Sequence, residues 1–410
     1  MEKGNEIKTV VPALRFPEFI GMNGWEEKKL EEIGNFIGGG TPNTAIKEYW
    51  DGGIPWYTPT EIKNGYLKSS NRTITEKGLK NSSAKLLPQG AILITTRATI
   101  GDVAISKEEC TTNQGFQSLV VNNSESNLFW FYWIIGHKED LIKRASGSTF
   151  KEISKNEIKN ITSYSPKKQE QQKIADCLFS LDELIEATTQ KVETLKKHKK
   201  GLMQQLFPVE GNNVPDLRFP EFQVMEGWEK TYIYEECPNP YSGGTPKTSK
   251  KKYYGGNIPF IRSAEIGKDK TELSITQEGL NNSSAKMIQK GDLLIALYGA
   301  NSGDIAISKI DGAINQAILC LKAKSNNLFI YYTLLKKQKY IVSKYLQGGQ
   351  GNLSGEIIKS IDFYIPQKIE QQKIANCLSS LDELIEATSR KVEILKEHKK
   401  GLMQQLFPKI

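Results

Sequence analysis

Two stretches of the chain carry apolar residues in alternating steps of four and three. The first runs Ile174, Leu178, Leu181, Ile185, Thr188, Val192, Leu195, Lys199, Leu202 and Leu206. The second runs Ile374, Leu378, Leu381, Ile385, Thr388, Val392, Leu395, Lys399, Leu402 and Leu406. That spacing predicts two long helices with a coiled-coil seam, whose weak points are the threonines and lysines. Ser165–Pro166 suits an N-cap followed by a first-turn proline, and Pro208 and Pro408 suit stops. Gly201 and Gly401 each cost a helix about 1 kcal/mol, which predicts that the last turns stand apart.

Residues 170–208 and 370–408 differ only at Asp176, Phe179, Thr189, Gln190, Thr194 and Lys197 of the first copy. Near-identity over that length predicts that the two helices pair with each other. Reach and charge set the direction. Residues 170–207 in one helix span about 57 Å. A compact module of some 150 residues has a radius of gyration of about 15 Å and could not bridge that length between parallel helices. Each helix is acidic early, as in Asp182, Glu183 and Glu186, and basic late, as in Lys196, Lys199 and Lys200. Antiparallel pairing sets acid against base. Each surface pair is worth only ~0.2–1 kcal/mol, but all favour the same direction.

The segments before the helices also repeat. VPALRFPEF (Val11–Phe19) returns as VPDLRFPEF (Val214–Phe222), GGTPNT (Gly39–Thr44) as GGTPKT (Gly243–Thr248), and NSSAK at residues 81–85 again at 282–286. GDVAISK at 101–107 returns as GDIAISK at 303–309. So long a period is a domain duplication, not a solenoid. The expected organisation is a module over 1–165, a helix over 166–208, a second module over 209–365 and a second helix over 366–410. Strand signals fall at Ala91–Thr95, Val103–Ser106 and Gln117–Val121, and again at Leu293–Tyr298, Ile305–Ser308 and Ala317–Leu321. Leu128–Arg144 and Leu328–Tyr345 read as helices with core aromatics. The fold class is mixed α/β (α+β). Two similar globular modules, each with an antiparallel sheet, are expected at opposite ends of an intramolecular antiparallel helix pair, related by a pseudo-twofold axis. Val11–Phe19 should then lie beside the end of the second helix, as Val214–Phe222 follows the first, and the chain ends should almost meet.

Composition narrows the chemistry. The chain of 410 residues has 55 Lys+Arg against 47 Asp+Glu, a net +8 that is compatible with a polyanionic partner. Five scattered cysteines and three histidines offer no zinc cluster, and no metal site is expected. The sparse, odd cysteine count fits a reducing compartment. The N-terminal MEKGNEIKTV lacks the apolar core of a secretory signal, and Leu128–Ile135 is too short for a membrane helix. A soluble, cytoplasmic protein is expected.

Three patterns imitate catalytic motifs. Phe36–Gly40 (FIGGG) matches the FxGxG of S-adenosylmethionine sites, but no apolar strand precedes it and the second copy has PYSGG. Pro238–Tyr241 (PNPY) lacks the second proline of the adenine methyltransferase signature. Asp51 with Glu61 and Lys63 outlines a D…ExK nuclease site, yet the other half has Gly255, Glu265 and Gly267 there. No GxxxxGK[ST] occurs. The expectation is a chain without catalysis of its own and without a cofactor.

Two similar modules at a fixed separation suit a ligand with two sites along a line, and double-stranded DNA is such a ligand: half-sites on one face recur every 34–36 Å. The modules share a frame but diverge where reading loops belong. EIKNGYLKSSNRTI at 61–74 faces EIGKDKTELSI at 265–275, TTRATI faces ALYGANS, and GSTFKEIS faces QGGQGNLS. Unlike loops on a like frame imply an asymmetric bipartite target. Candidate DNA-contacting residues in the first half are Thr41, Asn43, Thr44, Lys47, Tyr57, Lys63, Arg72, Arg97, Thr99, Ser148 and Lys151. In the second half they are Thr245, Lys247, Thr248, Arg262, Tyr298, Asn301, Gln347, Gln350 and Asn352.

The chain resembles the specificity subunits of type I restriction–modification systems. The resemblance rests on the repeated GGTP with Tyr49-Trp50 and Ile54-Pro55-Trp56 (Ile258-Pro259-Phe260 in the second half), and on the repeated EQQKIA…LDELI…LMQQLFP helices. It covers essentially the whole chain. It implies a non-catalytic subunit whose two target recognition domains each read half of a bipartite site, with the helices setting the spacer. It implies two methyltransferase subunits that bind S-adenosylmethionine and methylate an adenine in each half-site. It also implies two motor–nuclease subunits that use ATP and magnesium. The alternatives are a coiled-coil interaction scaffold without DNA reading, or a stand-alone DNA methyltransferase.

Overall fold

The computed structural model describes residues 9–63, 65–147, 151–345 and 353–408. The chain forms two compact units. One comprises residues 1–189 with 390–410, the other residues 190–389. The division falls inside both long helices, Lys168–Gln205 and Lys368–Leu406, so each unit holds the first half of one helix and the last half of the other.

In the first unit, strands Gly34–Gly38, Gln117–Val121, Ile92–Ile94 and Val103–Ile105 form an antiparallel sheet in that order. The continuous apolar run at 91–94 follows from burial on both faces. Ile92 and Ile94 point into the larger core, against the helix Asn127–Gly136 and the long helices, while Leu93 points into a second core with Tyr57 and Phe116. A second sheet, Arg72–Ile74, Trp50–Tyr57 and Thr111–Thr112, lies beyond the expected antiparallel one and contains a parallel pair between its last two members. A third sheet ties Thr9–Val10 and Trp25–Lys29 to Thr162–Ser165, just ahead of the first long helix.

The second unit repeats this scheme. Tyr241–Ser242, Ile318–Leu321, Leu293–Ala296 and Ile305–Ile307 form the antiparallel sheet. Leu273–Ile275, Tyr254–Ile261, Gly312–Ile314 and Lys286–Ile288 form the mixed one. Glu229–Tyr232 pairs with Asp362–Ile365 ahead of the second long helix.

Within each unit the two helix segments run antiparallel. In the first, Asp182 pairs with Lys399 (2.5 Å), and Ile174 and Leu178 share a core with Leu402, Met403, Leu406 and Phe407. In the second, Asp382 pairs with Lys199 (2.5 Å), and Ile374 and Leu378 meet Leu202, Met203, Leu206 and Phe207. All the predicted seam residues are buried or half-buried: Ile174, Leu178, Leu181, Ile185, Val192, Leu195 and their equivalents Ile374, Leu378, Leu381, Ile385, Val392 and Leu395. The polar seam positions keep their side chains hydrogen-bonded. Thr188 and Thr388 donate their hydroxyls to the carbonyls of Leu184 (2.6 Å) and Leu384 (2.7 Å). Lys399 also lies over the Tyr132 ring, whose hydroxyl donates to Asp182 (2.7 Å); Lys199, Tyr332 and Asp382 repeat the triad. Burial, then the neighbouring carboxylate, pushes both tyrosine pKa values up, so each hydroxyl stays a donor.

The helix ends differ from expectation. Ser165 is not an N-cap: it closes a strand, its buried hydroxyl has no partner among the described residues, and the helix starts at Lys168. The Lys167 carbonyl instead receives the amides of Glu170 and Gln171. Gly201 and Gly401 do not interrupt, because seam packing continues on both sides of them. The helix predicted over Leu128–Arg144 divides after Gly136 at His137, whereas its counterpart runs unbroken over Asn127+200, that is Asn327–Tyr345. At the break the buried His137 ring contacts the carbonyls of Trp133 (2.8 Å) and Pro408 (3.3 Å). In the second unit Lys336 donates to the carbonyls of Phe207 and Pro208 (2.7 and 2.9 Å). Each unit thus supplies a side chain to the carbonyls just past a long helix.

The LRFPEF repeat lies where antiparallel pairing requires. The Leu14 amide donates to the Gln405 carbonyl (3.0 Å), as the Leu217 amide does to Gln205 (2.9 Å). Arg15 grips Glu170 in two hydrogen bonds (2.8 and 2.7 Å), and the Trp25 indole adds a third (3.1 Å). Arg218, Glu370 and Trp228 do the same at 2.8, 2.8 and 3.2 Å. A bidentate pair with its remaining donors on backbone carbonyls, here Met22 and Asn23 or Met225 and Glu226, is the arrangement that makes a buried ion pair tolerable. The C-terminal Phe407 and Phe207 close the same cores against Trp25 and Trp228.

Candidate nucleic-acid interface

In the first unit, segments far apart in sequence converge through backbone hydrogen bonds. The Gly40 amide donates to the Thr112 carbonyl (2.8 Å), the Asn113 amide to Tyr57 (3.0 Å) and the Thr96 amide to Gly115 (2.8 Å). Ser146 and Glu152 exchange hydrogen bonds, and the Ile153 amide reaches Thr96 (3.2 Å). The GGTP turn, the turn after Tyr57, the TRAT turn and the segment around Lys151 therefore share one surface. In the second unit the Gly243 amide donates to Asn315 (3.2 Å), Leu297 to Ala317 (2.8 Å) and Leu353 to Leu297 (3.0 Å).

The glycines of GGTP are required by close approach. A Cβ at Gly39 would fall 2.0 Å from the Asn113 carbonyl oxygen, and one at Gly40 2.3 Å from Ser83 Oγ. At Gly243 and Gly244 the clashes are with the Ile314 carbonyl (1.8 Å) and Ser284 Oγ (1.9 Å). The protein's own backbone and the NSSAK serines fill the room beside FIGGG. The two other imitations also dissolve into local geometry. Asp51 has φ +60°, and its counterpart Gly255 has φ +79°, so this position selects residues that tolerate the left-handed region. Glu61 accepts from the Thr58 and Asn71 amides (2.8 and 2.7 Å), and Glu265 from those of Arg262 and Glu272 (3.1 and 2.9 Å); both carboxylates hold a loop. Tyr241 of PNPY donates to the Met287 carbonyl (2.9 Å).

The candidate residues divide by what they already bind. Thr44, Lys47, Lys63 and Lys151 are exposed on the first unit, and Lys247, Thr248 and Tyr298 on the second. Arg72 is exposed with its guanidinium 3.5 Å above the Trp50 ring, which fixes its plane. Arg97 is exposed but engaged with Glu152 (2.8 Å). Asn43 closes its own turn on the Ala45 amide (3.0 Å), and Asn301 holds Asp304 (3.0 Å). Arg262 is clamped between Glu265 (3.1 Å) and Glu272, hydrogen bonds to which raise its pKa. Tyr57 is withdrawn from the surface: it is 3% exposed and its hydroxyl donates to the Lys68 carbonyl (2.7 Å), with burial raising its pKa to about 12. Ser148, Gln347, Gln350 and Asn352 lie outside the described residues.

Thr99 belongs to a tight turn. Its amide donates to the Arg97 carbonyl (2.6 Å) across Ala98, which has φ +58°, forming a γ-turn that non-glycine residues rarely adopt. The second unit places Gly299 (φ +84°) there and relieves the strain.

Sequence reasoning missed Asn113-Gln114 and Asn315-Gln316. Thr41 donates to Gln114 Oε1 (2.7 Å), and Thr245 to Gln316 Oε1 (2.8 Å). Asn113 and Asn315 accept from the amides of Gly115 (2.8 Å) and Ala317 (3.1 Å). The signal was available: the dipeptide recurs 202 residues later, between strands in each half. Among the described residues no cluster of His, Cys, Asp and Glu could hold a metal, and no helix is long and apolar enough to cross a membrane.

Comparisons with known proteins agree across the chain. The family model for the type I restriction modification DNA specificity domain matches residues 22–197 and again 225–397. The MjaIX type I restriction enzyme specificity subunit of Methanocaldococcus jannaschii is 28% identical over 399 residues, 93% of this chain and 92% of that protein. The Escherichia coli EcoR124I/EcoR124II specificity subunit is 33% identical over 173 residues, 40% of this chain and 43% of that one. Among solved structures, the type I restriction–modification S subunit from M. genitalium has a similar fold, with a TM-score of 0.67 over 98% of this chain and all of that one, at 17% identity. A chain from a study of complex assembly and conformational transition of the type I system aligns with a TM-score of 0.55, over 94% of this chain and 97% of its own length, at 18% identity.

Proposed function

The chain belongs to the type I restriction modification DNA specificity family, and from that premise we propose that each of its units reads one half of a bipartite duplex site. The observation that carries this reading is the gathering of dispersed turns onto one surface per unit, built on a like frame with unlike tips. Arg97, Ala98 and Thr99 occupy the place of Tyr298, Gly299 and Ala300. Arg72, which lies over Trp50, corresponds to Leu273, and Trp50 to Tyr254. Base edges differ in donors, acceptors and methyl groups, so a change from guanidinium to phenol or leucine changes the base preferred. The two half-sites therefore differ.

The chain supplies binding and geometry, and the chemistry belongs to partners. Methyltransferase subunits bearing S-adenosylmethionine dock on it, two per chain, and two motor–nuclease subunits bring ATP and magnesium. The long helices set the run of unread bases. Adding one heptad at 189/190 and another at 389/390, about 10.5 Å of helix, should lengthen that run by about three base pairs at 3.4 Å each and leave both half-motifs intact.

Methylome sequencing of cells expressing the chain with its methyltransferase tests the reading. The expected result is two short, unlike motifs separated by a constant number of arbitrary bases. A single unbroken motif, or methylation without sequence preference, refutes it. Exchanging the TTRATI turn for ALYGANS should change one half-motif only.

A further inference from the structure

The two units agree at one exposed polar point beside tips that differ. In both, the threonine of GGTP donates to a glutamine carbonyl, Thr41 to Gln114 and Thr245 to Gln316, at 2.7 and 2.8 Å. Both glutamines are exposed. The threonine takes the side-chain oxygen and so directs the amide nitrogen away from it. Among the described residues neither nitrogen has a hydrogen-bond partner. The variable tip hangs from the same turn in both units: Thr96 donates to the Gly115 carbonyl and Leu297 to Ala317, each at 2.8 Å. The glutamine thus stands at the root of the tip, at a fixed offset from it.

We propose that Gln114 and Gln316 each donate their side-chain amide to a backbone phosphate of the duplex and so set the depth at which the adjoining tip meets the bases; this rests on the DNA-reading function proposed above. A side chain kept with its partner and geometry, next to tips that change, matches a feature common to both half-sites. Every half-site has phosphates, whatever its bases. Neutral amide donors are ordinary phosphate ligands that fix register without carrying sequence information. The turn leaves no bulk in the way, because GGTP lies back against the protein with its glycines in contact with neighbouring backbone or serine.

The test uses the full chain assembled with its methyltransferase subunits and two duplexes, one carrying the selected motif and one unrelated. Gln114→Leu and Gln316→Leu should each weaken binding about ten-fold on both duplexes, the scale of one hydrogen bond to a charged group, and leave the selected motif unchanged. Gln114→Glu keeps the acceptor for Thr41 but sets a negative charge against the phosphate, so it should lose more than Gln114→Leu. A merely loop-holding glutamine predicts near wild-type binding for Gln114→Glu. A scan with single neutral methylphosphonates should find one position per half-site where wild type weakens and the matching Leu variant weakens no further. A changed base preference, a loss confined to the matched duplex, or no such coupled position overturns the proposal. If the wild-type complex does not distinguish the two duplexes, the DNA-reading function itself fails, whatever the variants do.

Discussion

The helix segments and the variable tips of this molecule were copied together and have diverged at very different rates. At the helix ends the buried anchors recur: Glu170 and Glu370, Arg15 and Arg218, Trp25 and Trp228, Phe407 and Phe207. At the tips little recurs beyond the turn that carries them. Between these extremes lies a pair that changed jointly. Glu48 binds Lys77 in the first unit, and Lys252 binds Glu278 in the second, so the same contact is kept with its charges exchanged. The lesson concerns partners. A side chain bound inside the protein can change only with its mate, whereas a tip is free to follow whatever lies outside.

The sharpest way to break the comparison is to remove half of it. Residues 1–208 lack the 390–408 segment that completes the first unit, but their own 190–208 differs from it only at Gln190, Thr194 and Lys197. A second copy can therefore supply the missing segment. Analytical ultracentrifugation should show a folded dimer, and a folded monomer would mean that the shared helices do not complete the units.

Next in size is the anchor. Glu170→Ala and Glu370→Ala each strand a buried arginine and should cost about 3–5 kcal/mol in urea unfolding. The two costs should agree closely, since the geometry does. Asp182→Lys should cost about 1–3 kcal/mol by leaving Lys399 and the Tyr132 hydroxyl without their acceptor. Adding Lys399→Asp should restore much of it, and no recovery would mean that this pair does not fix the helix register.

The tips should respond in opposite directions. Ala98→Gly relieves a left-handed residue and should stabilise the first unit by up to about 1 kcal/mol, while Gly299→Ala should destabilise the second by about 1–2 kcal/mol. Differential scanning calorimetry can resolve both signs. The smallest effect is a pH dependence at a position where only the second unit has a carboxylate. A hydrogen bond from Lys230 holds Asp362 below its ordinary value of 3.8, and the first unit has Thr162 at the equivalent place. A depressed acid contributes stability above its unfolded value and loses it as pH falls through the lower folded value. Asp362→Asn should therefore narrow its stability deficit against wild type only below about pH 4, which urea melts at pH 3 and pH 6 would reveal.

The sequence by itself determined the repeat, the helical seam, the antiparallel pairing within each unit, most strands and the place of Val11–Phe19 beside the second helix's end. These are linear properties. A period of 3.5 residues, an acidic stretch followed by a basic one and a block repeated 200 residues on can all be read without knowing what lies nearby. The tertiary structure alone decided which polar residues are free to meet a ligand. Tyr57, Arg262 and Asp51 look alike in a list of reactive side chains, yet one is in the core, one is clamped by two carboxylates and one holds a left-handed turn. Gln114 gained its role from Thr41, 73 residues away. A hydrogen bond over such a distance leaves no period in the sequence, because it depends on how strands and turns pack and not on the order in which they are linked.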